Sequence, residues 1–219
     1  MWTVLSRFPN PLAFRMPISL ALFDMDDVLV HYDRSARVRS LASLSNLTPD
    51  EVAQAIWGSG LEAKADAGLI DDVAYLRETS ELLGCHVSLD DWLLARRQSM
   101  CPNVEVLALA AAASATCKIA VLTNNPRLVS DNIAYLCPPI ADLFGKNVFA
   151  SASFNAAKPS SQTFLKCIDS LGVAPSESLF VDDLEANVMG ARDAGLLAHL
   201  FTDHAALAEE FHEHGLLMR

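Results

Sequence analysis

Three short apolar runs, each ending in side chains that carry oxygen, constrain this chain more than any other feature. Ile18-Ser19-Leu20-Ala21-Leu22-Phe23 runs into Asp24, Lys118-Ile119-Ala120-Val121-Leu122 into Thr123, and Ser178-Leu179-Phe180-Val181 into Asp182 and Asp183. Runs of this length and composition read as buried strands whose carboxyl ends open into loops. Asn147-Val148-Phe149-Ala150 and residues Leu196 to Phe201 are weaker strand signals. Helical patterns lie between them. Asn125-Pro126 starts one with apolar Leu128, Val129, Ile133 and Leu136. Ser160 or Ser161 starts another that stops at Gly172, and Asn187 to Ala194 forms a third, stopped by Gly195. Strands alternating with helices predict an α/β fold with a doubly wound parallel sheet, in which ligands bind beyond the carboxyl ends of the strands.

Between about Asp33 and Pro102 strand signals vanish. Thr48-Pro49-Asp50-Glu51 is a capping box with proline at the first helical position, Asp71 begins a helix ending at Gly84, and Ser88-Leu89-Asp90-Asp91 caps the next. The expected organisation is an α/β core over 16–33 and 103–219, an all-helical insertion over 34–102, and a loose tail over 1–15.

The formal charge of −11 argues against sequence-independent nucleic-acid binding and against anionic membranes, but not against a phosphorylated small molecule held in one local pocket. No apolar run reaches membrane-spanning length. The five cysteines are odd in number and form no CxxC, so reduced thiols in a cytoplasmic protein are expected.

Four groups carry possible chemistry. Asp24 and Asp26 leave a buried strand two residues apart and can face one cavity, one as a nucleophile and the other as an acid/base. An acidic turn explains two such aspartates equally well. Asp182-Asp183 is unfavourable unless a cation neutralises it, and magnesium prefers such oxygens; a helix start decorated with acids is the alternative. Thr123-Asn124-Asn125 suits a phosphate oxyanion or an ordinary helix cap. Lys158, ahead of a helix, can neutralise a phosphate or simply face solvent.

In their order and context these groups resemble the haloacid dehalogenase superfamily of phosphatases, over Ile18 to Asp33 and from Val104 onward. The run Phe180-Val181-Asp182-Asp183-Leu184-Glu185-Ala186-Asn187-Val188-Met189-Gly190-Ala191-Arg192-Asp193-Ala194-Gly195 is its most specific part. The resemblance implies Asp24 as nucleophile and Asp26 as general acid/base. It implies Thr123 and Asn124 as phosphate donors, and Lys158 as the lysine stabilising nucleophile and phosphate. Magnesium would be held by Asp24, by the Asp26 carbonyl, and by Asp183 as the main metal aspartate, because Asn187 follows it at a spacing of four. Asp182 would hold the ion or a water on it. The helical insertion resembles the family's cap. Asp27-Val28 departs from the common Gly-Thr; aspartate tolerates the left-handed turn needed there, while valine removes a hydroxyl. Asp26 favours phosphate-ester hydrolysis over carbon–halogen cleavage.

A receiver-type phosphoacceptor domain places its acid pair before the acceptor aspartate, and here the pair comes last. A phosphomutase shares the chemistry, and a non-catalytic phosphate-binding module shares the fold. Nucleotide and hydrolase signatures of the G-x-G-x-x-G, P-loop and G-x-S-x-G types are absent. His212 and His214 read as surface residues, Trp57 and Trp92 as core. Arg37, Arg39, Glu62, Lys64 and Arg77 of the insertion could touch substrate, but a solvated face is the favoured reading for each.

Overall fold

A computed structural model describes residues 17–217; the tail expected over 1–15 lies outside the described residues. The chain begins with β1 (Leu20–Phe23) and β2 (Val30–Tyr32). The helices α1 (Arg34–Ala42), α2 (Pro49–Ala53), α3 (Leu61–Asp66), α4 (Asp72–Leu83) and α5 (Leu89–Gln98) follow, with a π-helical turn, Gln54–Gly58, after α2. Next come β3 (Met100–Pro102), α6 (Val104–Ala113), β4 (Lys118–Thr123), α7 (Arg127–Asp131), α8 (Ile133–Leu136), α9 (Pro138–Phe144) and β5 (Val148–Ala150). The chain continues with α10 (Ser161–Leu171), β6 (Ser178–Asp182), α11 (Glu185–Asp193), β7 (Leu197–Leu200) and α12 (His204–Glu213).

The main sheet runs in the order β5-β4-β1-β6-β7, and its pairings are parallel. Alternate side chains along each strand point to opposite faces, which splits the apolar runs in two. Leu20, Leu22, Ala120, Leu122 and Phe180 meet Phe164, Cys167 and Ile168 of α10 and Ala191 of α11 on one face. Ala21, Phe23, Ile119, Val121 and Val181 meet α6, α9 and α12 on the other. Phe23 makes edge contacts with both Phe144 and Phe211, at centroid distances of 5.9 and 6.0 Å. Burying each such side chain contributes roughly 1.5–3 kcal/mol. This two-sided burial is why the strands read as continuous apolar runs rather than as alternating ones.

The helix expected after Asn125-Pro126 is instead the broken series α7, α8 and α9. Asn132, at φ −115°, and Cys137, at φ −148°, interrupt it, and prolines 138 and 139 cannot continue a helix from the preceding turn.

The insertion is helical as expected, with Thr48/Glu51 and Ser88/Asp91 forming reciprocal capping boxes. Its ends differ from the expectation. Val30–Tyr32 pairs antiparallel with Met100–Pro102, so the two crossings between core and insertion form a two-stranded ribbon. Three-residue strands carry no readable period, and one of these contains Pro102. The cysteines are all free, and no described helix is long and apolar enough to cross a membrane. His212 is exposed as expected. His214 is not: its side chain is 1% exposed and lies 3.0 Å from Glu210, one helical turn back on α12.

Candidate active site

Register places the oxygen-bearing strand ends together. Phe23 pairs with Val121 on one side and Val181 on the other, so Asp24, Thr123 and Asp182 emerge at one edge of the sheet. Asp182 and Thr123 are fully or almost fully buried, and Asp24 is 7% exposed. Lys158 reaches this edge from the loop before α10. Its Nζ lies 2.8 Å from Asp24 Oδ1 and 2.7 Å from Asp182 Oδ2. Burial opposes the charge on Lys158, but Asp24 and Asp182 outweigh it and hold the ammonium protonated. Burial pushes the Asp24 carboxyl up to about 8; Lys158 opposes this, and Asp182 and Asp26 add to it.

Two details fix Lys158. The Asn124 side chain exchanges two bonds with its backbone, Nδ2 donating to the Lys158 carbonyl at 2.9 Å and Oδ1 accepting from its N–H at 2.8 Å. The Asn124 side chain thus ties the end of β4 to the backbone of the lysine, while Asn124 also lines the cavity. Gly190 of α11 packs on the next residue, and a Cβ there would collide with the Pro159 carbonyl.

Asp182 also accepts from Asn187 Nδ2, at 3.0 and 3.1 Å, and from the Leu184 N–H at 2.8 Å. Asn187, four residues after Asp183, turns its side chain back to Asp182 at the strand end. Asp183 is half-buried, and burial with the neighbouring Asp182 raises its carboxyl above the usual range. Carboxylate oxygens of Asp24, Asp182 and Asp183 all lie within 4.8 Å of one another. Three carboxylates around one ammonium leave an excess of negative charge in a buried place, and hard oxygen donors of this kind suit magnesium. The residues present fit such an ion.

Asp26 follows Asp24 by two residues, at a tight turn. Asp27 sits at φ 59°, the left-handed conformation expected for it, and its Oδ1 accepts from the Tyr32 N–H at 3.0 Å. Val28 is fully buried, and its carbonyl accepts from Asn103 Nδ2 at 3.1 Å. The Asp26 carboxylate meets Asn125, from the Thr123-Asn124-Asn125 run, and Arg96, to which the sequence did not point. Asn125 Nδ2 lies 3.3 Å from Oδ2 and also bonds Thr123 Oγ1 at 2.8 Å. Arg96 Nη2, from α5, lies 2.7 and 2.6 Å from the two carboxylate oxygens.

The insertion roofs a cavity of about 350 Å³ over this edge, lined from below by Asp24, Asp26, Thr123, Asn124, Lys158 and Asp183. Its upper wall includes Arg34, Arg37, Trp57, Glu62, Asp66 and Arg96. Arg37 and Glu62 are therefore not solvated-face residues. Arg37 is 2% exposed and forms a two-pronged pair with Glu62 at 3.1 and 3.0 Å, and Tyr75 hydrogen-bonds both. Trp92, which is core as expected, donates to Tyr75 at 3.1 Å. Trp57 does more than fill core: it faces the cavity with Arg34 and Arg37 over its ring. Arg39, Lys64 and Arg77 are exposed as read. Buried arginines on helices are rare because guanidinium is expensive to desolvate. The one readable signal for Arg96 was its place four residues after Trp92, on the apolar stripe of α5.

The chain matches known proteins in ways that agree with this geometry. It is 29% identical over 198 residues to phosphatase MT3486 of Mycobacterium tuberculosis, spanning 84% of this chain and 88% of that protein. The HAD family enzyme BT-2542 of Bacteroides thetaiotaomicron, solved with magnesium and inorganic phosphate, superposes with a TM-score of 0.72. The identity is 20%, covering 84% of this chain and 94% of that one. The L-2-haloacid dehalogenase of Xanthobacter autotrophicus also superposes, with a TM-score of 0.61 and 22% identity over 90% and 83% of the two chains. The last two likenesses show the fold alone. A family model for haloacid dehalogenase-like hydrolase matches residues 18–195, and with that span the chain belongs to the haloacid dehalogenase-like hydrolases.

Proposed function

We propose that this hydrolase cleaves a small phosphate monoester, such as a sugar phosphate or nucleoside monophosphate, through an aspartyl-phosphate on Asp24. One observation carries the reading. A buried lysine bridges Asp24 and Asp182 at 2.8 and 2.7 Å, beneath a cavity that a second carboxylate, Asp26, also lines. A buried ion triad of this kind is a poor device for stability, but it suits the charge of a transferring phosphoryl group. The naming of the Mycobacterium tuberculosis relative as a phosphatase supports the same reading.

In the proposed reaction an Asp24 carboxylate oxygen attacks phosphorus and forms the acyl-phosphate bond. The ester P–O bond breaks, and Asp26 gives its proton to the departing oxygen. Asp26, now ionised, takes a proton from water as that water attacks the aspartyl-phosphate. Phosphate is released and Asp24 is restored. Lys158 stays between the two buried carboxylates and offsets charge on the phosphoryl oxygens. Thr123 offers its hydroxyl to one of them. Asp24, Asp182, Asp183 and the Asp26 carbonyl would hold magnesium, which when bound lowers the electrostatic cost of bringing phosphate against Asp24. The insertion acts as a cap that excludes water from this step.

A panel of phosphorylated metabolites, read by phosphate release with and without a chelator, tests the reading. Magnesium-dependent release from at least one small monoester is expected. No release from any would leave a non-catalytic phosphate-binding module, and transfer to a second hydroxyl without release would make the protein a mutase. An undiminished rate after thorough chelation would remove the metal from the reading.

A further inference from the structure

The Asp26 carboxylate is held from outside the core. Arg96 stands in the last turns of α5, 1% exposed, with its guanidinium 4.3 Å from the centre of the Tyr32 ring. Its Nη2 rests against both Asp26 oxygens, at 2.7 and 2.6 Å. Asp26 lies just before β2, and Arg96 just before β3. These two strands form the ribbon through which the chain enters and leaves the helical insertion. The ribbon is tied further by Asp33 N–H to the Ser99 carbonyl at 2.8 Å and by Asn103 N–H to the Leu29 carbonyl at 2.9 Å. Tyr32 belongs to the ribbon itself, so the platform under Arg96 and the base of the insertion are one unit.

We infer that Arg96 is a positioning residue for Asp26: it ties the carboxylate to the helical insertion, so that Asp26 is aimed at the leaving-group oxygen only while α5 is seated over the core. This rests on the reading of Asp26 as the proton donor. Because one nitrogen faces both oxygens, a small rotation leaves Arg96 donating to the unprotonated oxygen of the acid and turns the other, which carries the proton to be given, toward the cavity. Asn125 reaches the same carboxylate from the core side at 3.3 Å. Arg96 is thus the closer of the two restraints and the one that belongs to the insertion. A guanidinium serving only the substrate phosphate would not need its nearest donor buried against Asp26.

The inference separates from other roles by the leaving group. Proton donation matters most when the departing oxygen is a poor leaving group. Phenyl phosphate and p-nitrophenyl phosphate have nearly the same shape and differ in this respect. For Arg96→Met, kcat/KM with phenyl phosphate is expected to fall on the order of 10- to 100-fold, and that with p-nitrophenyl phosphate much less, so that the ratio between the esters widens. Asp26→Asn should widen the same ratio, and Arg96→Lys should recover part of the loss. Thermal unfolding of each variant confirms that the comparison is made on folded protein. If Arg96→Met lowers both esters equally while Asp26→Asn widens the ratio, Arg96 serves the phosphate or the fold, and the inference is overturned while the proton-donor reading stands. If Asp26→Asn leaves the ratio unchanged, the proton-donor reading itself fails and takes the inference with it.

Discussion

Asn187 is hydrogen-bonded to Asp182 rather than to Asp183. Its Nδ2 lies 3.0 Å from one Asp182 oxygen and 3.1 Å from the other. With Lys158 Nζ at 2.7 Å and the Leu184 N–H at 2.8 Å, this makes Asp182 the most heavily restrained carboxylate of the site. It is fully buried, whereas its neighbour Asp183 remains half-buried and faces the cavity. The two adjacent aspartates therefore divide the work. Asp182 anchors the lysine and the start of α11, and Asp183 keeps its oxygens available.

Replacing Asn187 by alanine should loosen Asp182 without removing any charge. Groups that orient metal-holding carboxylates typically change metal affinity or activity by roughly 10- to 100-fold when removed. Asn187→Ala is expected to raise the magnesium concentration needed for half-maximal phosphate release by about that factor, with kcat at saturating magnesium less affected. A magnesium titration of turnover checks this. An unchanged midpoint would show that Asn187 serves only the helix start.

Asp24→Asn should end turnover while leaving the fold intact or more stable. Burial pushes the Asp24 carboxyl up to about 8, which means that the ionised form is penalised in the folded protein. A neutral amide removes that penalty but cannot attack phosphorus. The expected result is no phosphate release and a Tm at least equal to that of the parent. Retained activity would refute the nucleophile assignment.

Gly190→Ala should act on the site from behind. The added methyl would collide with the Pro159 carbonyl, the residue after the lysine that bridges Asp24 and Asp182. Overpacking of this kind costs typically about 1–3 kcal/mol. If the backbone yields at Pro159, Lys158 is displaced, and kcat should fall together with stability. Unfolding curves and phosphate release on the same preparation test the pairing of the two effects. A loss of stability with full activity would show that α11 moves instead.

Much of this was legible in the sequence, and the reasons are physical. Strands buried on both faces must be apolar throughout, so β1, β4 and β6 stood out. Their polar ends had to share an edge once the strands were parallel. Lys158 was legible only through its order among those strand ends, because a lone lysine before a helix carries no signal. Asn187 was legible as a residue of the site but not as a partner of Asp182, since helix spacing does not say which way an amide turns at the first turn. The insertion hid most. Arg37 pairs with Glu62 across 25 residues of sequence, and Arg96 with Asp26 across 70. Charges buried by such distant partners look in sequence like any solvated arginine. β2 and β3 are defined only by each other, so no local pattern announces them.

The last prediction concerns Asp66, at the end of α3 in the roof of the cavity. Its Oδ1 is buried with no hydrogen-bond partner among the described residues. Burial pushes its carboxyl up from 3.8 to about 8; Glu62 adds to this, and Arg37 and Arg96 oppose it. The folded protein therefore keeps a proton on Asp66 across a range where the unfolded chain has lost it. Below the unfolded value both states are protonated, and the group has no effect on stability. As pH rises from about 4 toward 8 the unfolded state is increasingly favoured, by at most about 1.4 kcal/mol per pH unit. Above the folded value the penalty is complete and no longer grows. Asp66→Asn carries no titrating proton and should abolish this component. Urea unfolding at pH 5 and pH 8 is expected to show the variant gaining on the parent as pH rises. Parallel pH profiles for the two proteins would mean that Asp66 is ionised in the folded state, compensated by Arg37 or Arg96.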